Sequence, residues 1–297
     1  MKFFVTGANG QLGYDILRQL SKTEHEYIGS DIQENCNLSC KYLKLDITDK
    51  NAVTSVLENC KPDVIIHCAA WTAVDAAEDN ENYDLVEAVN VTGTKNLAEA
   101  AASLGCKFIY ISTDYVFDGS GNAPWAPDNK DYNPLNVYGK SKLAGELAVS
   151  EALDKYFIVR IAWVFGLNGN NFIKTMLNIG KKYDTLRVVN DQIGTPTYTY
   201  DLASLLINMA EGEKYGYYHA TNEGGYISWY DFACEIFKQA GYPTTVLPVT
   251  TEEYGLSKAL RPKNSRLCKQ KLVANGFTPL PSWQDALKRF LEELSNN

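Results

Sequence analysis

The sequence contains no apolar run approaching the ~18 residues that a bilayer-spanning helix requires, so a transmembrane segment is not expected. Its start, MKFFVTGANG, is interrupted by Gly7 and Gly10 before a signal-peptide core can form. Basic residues are in deficit: 28 Lys and Arg face 36 Asp and Glu, a formal charge of -8. That balance provides no global attraction for nucleic acid or anionic membranes, and neither is expected as a partner. The seven cysteines (Cys36, Cys40, Cys60, Cys68, Cys106, Cys234 and Cys268) are odd in number and scattered. Only Cys36 and Cys40 lie close together, and no second pair or nearby histidine completes a zinc set. Reduced thiols in a cytoplasmic protein are therefore expected. Internal repeats, low-complexity segments and long charge runs are also missing. What remains is a chain of 297 residues, 45% hydrophobic, long enough for one large domain or two unequal ones.

Short Val-, Ile- and Phe-rich runs alternate with helical periodicity through the first 112 residues. Strands are predicted at Lys2–Thr6, Glu26–Asp31, Lys41–Leu45, Asp63–Cys68 and Cys106–Ser112, with helices at Gln11–Ser21, Asp49–Asn59 and Tyr83–Ser103. This alternation indicates βαβ units and a parallel sheet, with right-handed crossovers placing helices on both faces. A further strand is predicted at Phe157–Val164. Beyond it come a helix starting in Asn168–Asn171, a strand at Leu186–Val189 and a helix at Thr199–Glu211. Segments at Tyr215–Ala220, Ser228–Ala240 and Ser282–Leu294 complete a smaller mixed region.

Thr6–Gly13 reads TGANGQLG, between the first strand and the first helix. Glycines at 7, 10 and 13 let the backbone approach a pyrophosphate while the helix N-terminus offers free N–H groups. Gly7, Asn9, Gly10, Gln11, Leu12 and Gly13 are therefore candidate dinucleotide-binding residues. Asp31 ends the second strand, where a carboxylate can accept hydrogen bonds from an adenosine ribose. The same charge repels a 2′-phosphate and favours NADH over NADPH, unless Lys41 or Lys44 offsets it. Asp46, followed by Ile47, is placed to meet the adenine edge. Ala69 and Ala70 follow the fourth strand and leave room for a cofactor over the sheet edge. His67, inside an apolar run, reads as a core residue in preference to a base.

Tyr138 and Lys142 are four residues apart, on one face of a helix running to about Glu151. A tyrosine of ordinary pKa ~10 is a poor proton donor at neutral pH. A nearby ammonium is expected to draw that pKa down and to hold a nicotinamide ribose. Thr113 stands at the end of the fifth strand, on the sheet edge where open α/β folds place their ligands. Its hydroxyl can hold a substrate oxygen against Tyr138.

With these elements in place, the sequence resembles the extended short-chain dehydrogenase/reductase superfamily and, within it, the dTDP-4-dehydrorhamnose reductase family. The resemblance covers nearly the whole chain. It rests on the glycine turn, Thr72–Asp75, Ser112–Phe117, Pro134–Lys140, Asn170–Phe172, Asn190–Gln192 and Arg261–Leu267. It implies a Rossmann-type doubly wound parallel sheet with a smaller mixed α/β substrate domain. It also implies an interleaved division: residues 1–163, with a returning segment at about 186–212, against 164–297. The catalytic set it implies is Thr113, Tyr138 and Lys142, with Val74, Tyr115 and Trp163 lining a sugar site. Arg261 and Arg266 suit the diphosphate of a dTDP-sugar, since guanidinium groups bind phosphate oxygens with paired hydrogen bonds. The implied activity is reduction of the C4 ketone of dTDP-4-dehydro-L-rhamnose by NADH or NADPH.

Trp71 and Ala76 depart from the family pattern, which often has histidine and lysine at those places. Some members bind Mg2+ through glutamates at a homodimer interface. Asp15 stands where one of those glutamates is expected, so the sequence does not support a Mg2+ site and leaves a homodimer open. Two rivals remain: an epimerase or dehydratase of the same superfamily, and a non-catalytic nucleotide-binding subunit. The residue pair after Thr113 is Asp114-Tyr115 and lacks the glutamate that dehydratases carry.

Overall fold

The computed structural model describes residues 1–36 and 38–296. The chain begins β1 (Lys2–Thr6), α1 (Gln11–Leu20), β2 (Glu26–Asp31), β3 (Tyr42–Lys44), α2 (Lys50–Cys60) and β4 (Val64–His67). Next come α3 (Tyr83–Glu87), α4 (Thr94–Leu104), β5 (Lys107–Thr113), α5 (Val137–Ala152) and β6 (Tyr156–Ile161). The later part contains β7 (Val164–Phe165), α6 (Phe172–Gly180), β8 (Thr185–Val189), β9 (Ile193–Gly194), β10 (Thr197–Tyr198), α7 (Thr199–Glu211) and β11 (Gly216–His219). It ends with β12 (Ile227–Ser228), α8 (Trp229–Ala240), β13 (Thr245–Val249), α9 (Thr251–Tyr254), α10 (Gln270–Ala274) and α11 (Trp283–Ser295).

Seven strands form one parallel sheet in the order β11-β6-β5-β4-β1-β2-β3. The inner strands β1, β4, β5 and β6 are almost wholly buried and mostly apolar because both faces are covered. On one face Ile16, Leu17 and Leu20 of α1 pack with Leu202, Leu206 and Met209 of α7 against Phe3, Val5 and Ile109. On the other, Val53 and Leu57 of α2, Leu97 of α4 and Val149 of α5 cover Phe4, Ile65 and Phe108. The sheet winds outward in both directions from β1 and β4, so their C-terminal ends open a crevice at a topological switch point. Among the described residues, no helix is long and apolar enough to cross a membrane.

A separate core unites Phe165, Ile173, Tyr198, Phe232, Phe237 and Phe290. It draws on β7, α6, β10, α8 and α11, with β8 and β13 paired in parallel beside it. Thr185–Val189 pairs with Thr245–Val249, while α7 and β11 come back to the nucleotide half.

Local chemistry explains the boundaries. Asp49 caps α2 by accepting N–H bonds from Asn51 and Ala52. Asn136 and Asn171 do the same for α5 and α6. The helix expected over Tyr83–Ser103 forms and runs on to Leu104, but it widens at its centre. Ala88–Gly93 is a π-helical segment joining α3 to α4. Within it, Asn90 accepts from the Trp71 backbone N–H at 2.8 Å and donates to the Trp71 carbonyl and to Ser141 Oγ. The widened turn thus ties the loop after β4 to α5, a placement such segments often have near functional sites.

Candidate active site

The crevice holds two adjoining chambers. The first, about 430 Å³, is lined by Gly7, Asn9, Gly10, Asp31, Asp46, Ile47, Ala69 and Ala70. The glycine turn shapes its floor. Gly7 has φ of +66°, and a Cβ there would lie 2.6 Å from the Ala69 nitrogen. A Cβ on Gly13 would sit 2.1 Å from the Gly7 carbonyl oxygen, so the turn and the start of α1 approach as only glycines permit. No side chain caps α1. Asp31 Oδ2 accepts the Asn9 N–H at 3.1 Å, which ties the end of β2 to the turn. Asp46 Oδ1 accepts from the Thr48 N–H and hydroxyl at 2.9 and 2.7 Å. Lys44 is engaged with Glu34, and neither Lys41 nor Lys44 lines the chamber.

The second chamber, about 360 Å³, shares Gly7, Gly10, Cys68 and Ala70 with the first. It is bounded by Gln11, Leu12, Gly13, Val74, Thr113, Tyr115, Tyr138, Lys142 and Trp163. β5 delivers Thr113 and the first turns of α5 deliver Tyr138 and Lys142. The start of α5 is fixed twice: Asn136 accepts the Gly139 N–H, and Glu78 accepts the Val137 N–H at 2.7 Å. The Tyr138 phenol and the Thr113 hydroxyl both line this chamber. Tyr115 meets Tyr138 edge-on with centroids 5.8 Å apart.

The electrostatics correct one expectation. Tyr138 is not drawn down by Lys142. Burial pushes its pKa up, the nearby Thr113 hydroxyl opposes this, and Asp114 and Tyr115 add to the rise. Lys142 carries the larger functional change. Burial brings its ammonium down to about 7, against the pull of Glu146. Its Nζ lies 4.1 Å from the Tyr110 ring centroid, so an aromatic face holds the cation. His67 is a core residue: its ring nitrogens contact the hydroxyls of Thr6 and Thr94 at 2.8 and 3.0 Å.

The two arginines part company. Arg261 donates to the Tyr115 hydroxyl at 3.2 Å and forms an ion pair with Asp75 at 2.6 Å. Arg266 is held on Asn264 Oδ1 at 3.0 Å, and neither arginine lines the two chambers; Arg261 borders a separate pocket of about 290 Å³ with Asp75 and Trp229. Trp163 lies at the second chamber with φ of +52°, a conformation a bulky residue rarely adopts, and stacks on Trp229 at 3.8 Å. Asp15 is buried and bonded to Arg18 and Thr199. Among the described residues no cluster of three His, Cys, Asp or Glu side chains is arranged to hold a metal ion.

Three contributors escaped the sequence reading. Trp229 lines the second chamber from α8, Glu78 anchors α5, and Asp114 is buried behind Thr113. For Asp114 a signal existed, since it directly follows the strand-end threonine.

The family described as RmlD substrate binding domain matches residues 1–296. A dTDP-4-dehydrorhamnose reductase of Aggregatibacter actinomycetemcomitans is 42% identical over 97% of each chain. The crystal structure of a dTDP-4-dehydrorhamnose reductase from Clostridium acetobutylicum superposes with a TM-score of 0.92 at 45% identity, covering 99% of this chain and 100% of that one. A Bacillus anthracis dTDP-4-dehydrorhamnose reductase, solved in complex with NADP, gives 0.90 at 42% identity, covering 98% and 99%. The family match over residues 1–296, with the likeness of the whole fold, establishes that the chain belongs to the RmlD substrate binding domain family.

Proposed function

We propose that the chain is a reductase that converts the C4 ketone of dTDP-4-dehydro-L-rhamnose to the alcohol of dTDP-L-rhamnose, using NADH or NADPH. The observation that carries this reading is the convergence of Thr113, Tyr138 and Lys142 beside the glycine turn in one continuous crevice. The crevice fits a dinucleotide: glycines at 7 and 13 let the turn pack against the residues after β4 and the start of α1 more closely than any Cβ permits, and the uncapped start of α1 lines the second chamber. When bound, the reduced nicotinamide supplies the hydride.

The remaining work belongs to the side chains. Tyr138 holds a proton at Oη for the developing alkoxide, its high pKa keeping the phenol protonated across the working range. Thr113 orients the same oxygen. Lys142, brought to about 7, holds the nicotinamide ribose and provides the local charge that steadies the phenolate once Tyr138 has released its proton. Val74, Tyr115 and Trp163 shape the sugar pocket, and Arg261 serves the diphosphate; Arg266 acts at most through Asn264. We take residues 1–163 with α7 and β11 as the nucleotide half, and the Phe165–Phe290 core as the support of the sugar half.

The test follows NADH and NADPH oxidation with the dTDP-4-keto sugar. Wild type is expected to turn over, and Tyr138→Phe to lose roughly 10²–10⁴-fold in kcat, the usual contribution of a positioned proton donor. No turnover by wild type, or equal rates for the two proteins, sinks the proposal.

A further inference from the structure

The loop between β7 and α6 reaches from the sugar half to the glycine turn. Asn168 Nδ2 donates to the Asn9 carbonyl at 2.6 Å, and Asn171 Nδ2 donates to Gln11 Oε1 at 3.1 Å. Lys174, in the first turn of α6, holds the loop in shape by donating to the Leu167 and Gly169 carbonyls at 2.5 and 2.7 Å. Gly169, with φ of +74°, brings the loop backbone beside the Gln11 stem, where a Cβ would lie 3.4 Å from Gln11 Cγ. Gln11 itself opens α1 and borders the second chamber with Gly10 and Gly13.

An amide side chain carries an acceptor at one end and two donor hydrogens at the other, so its partners fix its direction. For Asn171 the backbone decides. Its Oδ1 accepts the Lys174 N–H at 3.1 Å as the cap of α6, and one Nδ2 hydrogen goes to the Gly166 carbonyl at 2.9 Å. A reversed amide would set oxygen against the Gly166 carbonyl and nitrogen against the Lys174 N–H. The second Nδ2 hydrogen is therefore committed to Gln11, which must meet it with oxygen. Gln11 Nε2 is turned away from Asn171 and has no hydrogen-bond partner among the described residues.

We infer that Asn171 is a positioning residue supplied by the sugar half, which fixes the Gln11 amide so that its N–H groups face the diphosphate of the dinucleotide. The inference rests on the reading of the crevice as a dinucleotide site. An anion at the uncapped start of α1 already meets free backbone N–H groups. The Gln11 amide adds a charge-assisted bond in one orientation and an opposing oxygen in the other. Part of the affinity for the cofactor is then stored in the loop that carries the sugar half.

The test is direct binding of NADH by calorimetry to wild type, Gln11→Met, Asn171→Ser and the double variant. Serine keeps an oxygen to cap α6 but offers no amide to Gln11. Gln11→Met is expected to weaken binding by about tenfold, the worth of one hydrogen bond to a charged group. Asn171→Ser is expected to weaken it by about threefold with Gln11 present, and by less than about 1.5-fold in the Gln11→Met background. A role confined to capping α6 would act alike in both backgrounds. Equal losses in the two, or no loss with Gln11 present, overturn the inference. Asn171→Asp gives a second route if the serine variant does not fold, since a carboxylate caps α6 yet forces Gln11 to reverse. Its expected loss is about thirtyfold, falling to about threefold with Gln11→Met; an undiminished loss overturns the inference too. Wild type that binds neither NADH nor NADPH ends the dinucleotide reading and this inference with it, whereas tight wild-type binding with additive variants ends the inference alone.

Discussion

Helix α5 turns one face toward two sites that treat buried charge in opposite ways. Tyr138, Lys142 and Glu146 are spaced four apart along it. At the far end, Glu146 grips Arg160 of β6 through two bonds of 2.8 and 2.7 Å, with both side chains fully buried. Arg160 donates further to the Pro127 carbonyl and the Tyr132 hydroxyl, each at 3.1 Å, and lies against the Phe117 and Tyr217 rings. Glu146 and Arg160 are both fully engaged there, while His219, whose Nε2 lies 3.5 Å from Arg160, keeps a buried Nδ1 without a partner among the described residues. At the cleft end, Ser112 Oγ and Asp114 Oδ2 are buried without partners among the described residues, and Lys142 rests on an aromatic face. A saturated network specifies one structure, here by pinning the loop through Pro127 and Tyr132 onto the sheet. An undersatisfied one stores its hydrogen-bonding capacity for a ligand.

The largest effect should follow from breaking the saturated end. Arg160→Met leaves Glu146 buried without its partner and is expected to cost about 3–5 kcal/mol in urea unfolding, because the stranded charge loses its compensation. Glu146→Leu combined with Arg160→Met removes both charges and is expected to recover most of that loss. If the single variant is as stable as wild type, the distinction between a structural and a functional end of α5 collapses.

A second effect concerns the other end. His67 lies in the same buried region as Lys142, and burial, with that ammonium nearby, lowers its pKa to about 3. An unfolded histidine titrates near 6.5. Between these values the unfolded chain binds a proton that the native one refuses, so stability falls as pH drops from about 6.5 toward 3. The loss attributable to His67 is roughly 3–4 kcal/mol across that window. Chemical denaturation at several pH values should show a shallower acid decline for His67→Gln than for wild type. Parallel declines would mean that the cleft end tolerates a second buried cation.

The same contrast explains what the sequence disclosed. β1 and β2 match their expected limits of Lys2–Thr6 and Glu26–Asp31, and α7 its limits of Thr199–Glu211, because apolar pattern and local breakers suffice there. Short spacings and strand ends marked the glycine turn, Thr113, Tyr138 and Lys142, and the structure brings them to one chamber. Relationships across space were not. Arg160 reads as one odd residue in an apolar strand, since its partners come from α5 and from the loop through Pro127 and Tyr132. The π segment at Ala88–Gly93 keeps helical periodicity, and only Asn90 bonding to Trp71 and Ser141 shows why it widens. Strands of two residues, such as β7, β9, β10 and β12, carry no period to read. The direction of the Tyr138 pKa depended on burial, which spacing alone does not report.

The smallest expected effect lies at the rim, where charge is neither saturated nor buried. The first chamber is lined by two carboxylates, Asp31 and Asp46, and by no Lys or Arg among the described residues. A 2′-phosphate entering beside Asp31 would meet like charge, so Asp31 is expected to weaken NADPH relative to NADH. Asp31→Ser should raise the ratio of NADPH to NADH kcat/KM by about tenfold, equivalent to ~1.4 kcal/mol. Ile32, 62% exposed beside it, offers a place to supply the missing cation. Asp31→Ser with Ile32→Arg should move the ratio further in the same direction, since a guanidinium can pair with the phosphate. The gain should shrink with added salt because the site is open to solvent. An unchanged ratio in both variants would place the selection of cofactor elsewhere than at the end of β2. A salt-independent gain would mean that the rim, like the far end of α5, shields its charges from water.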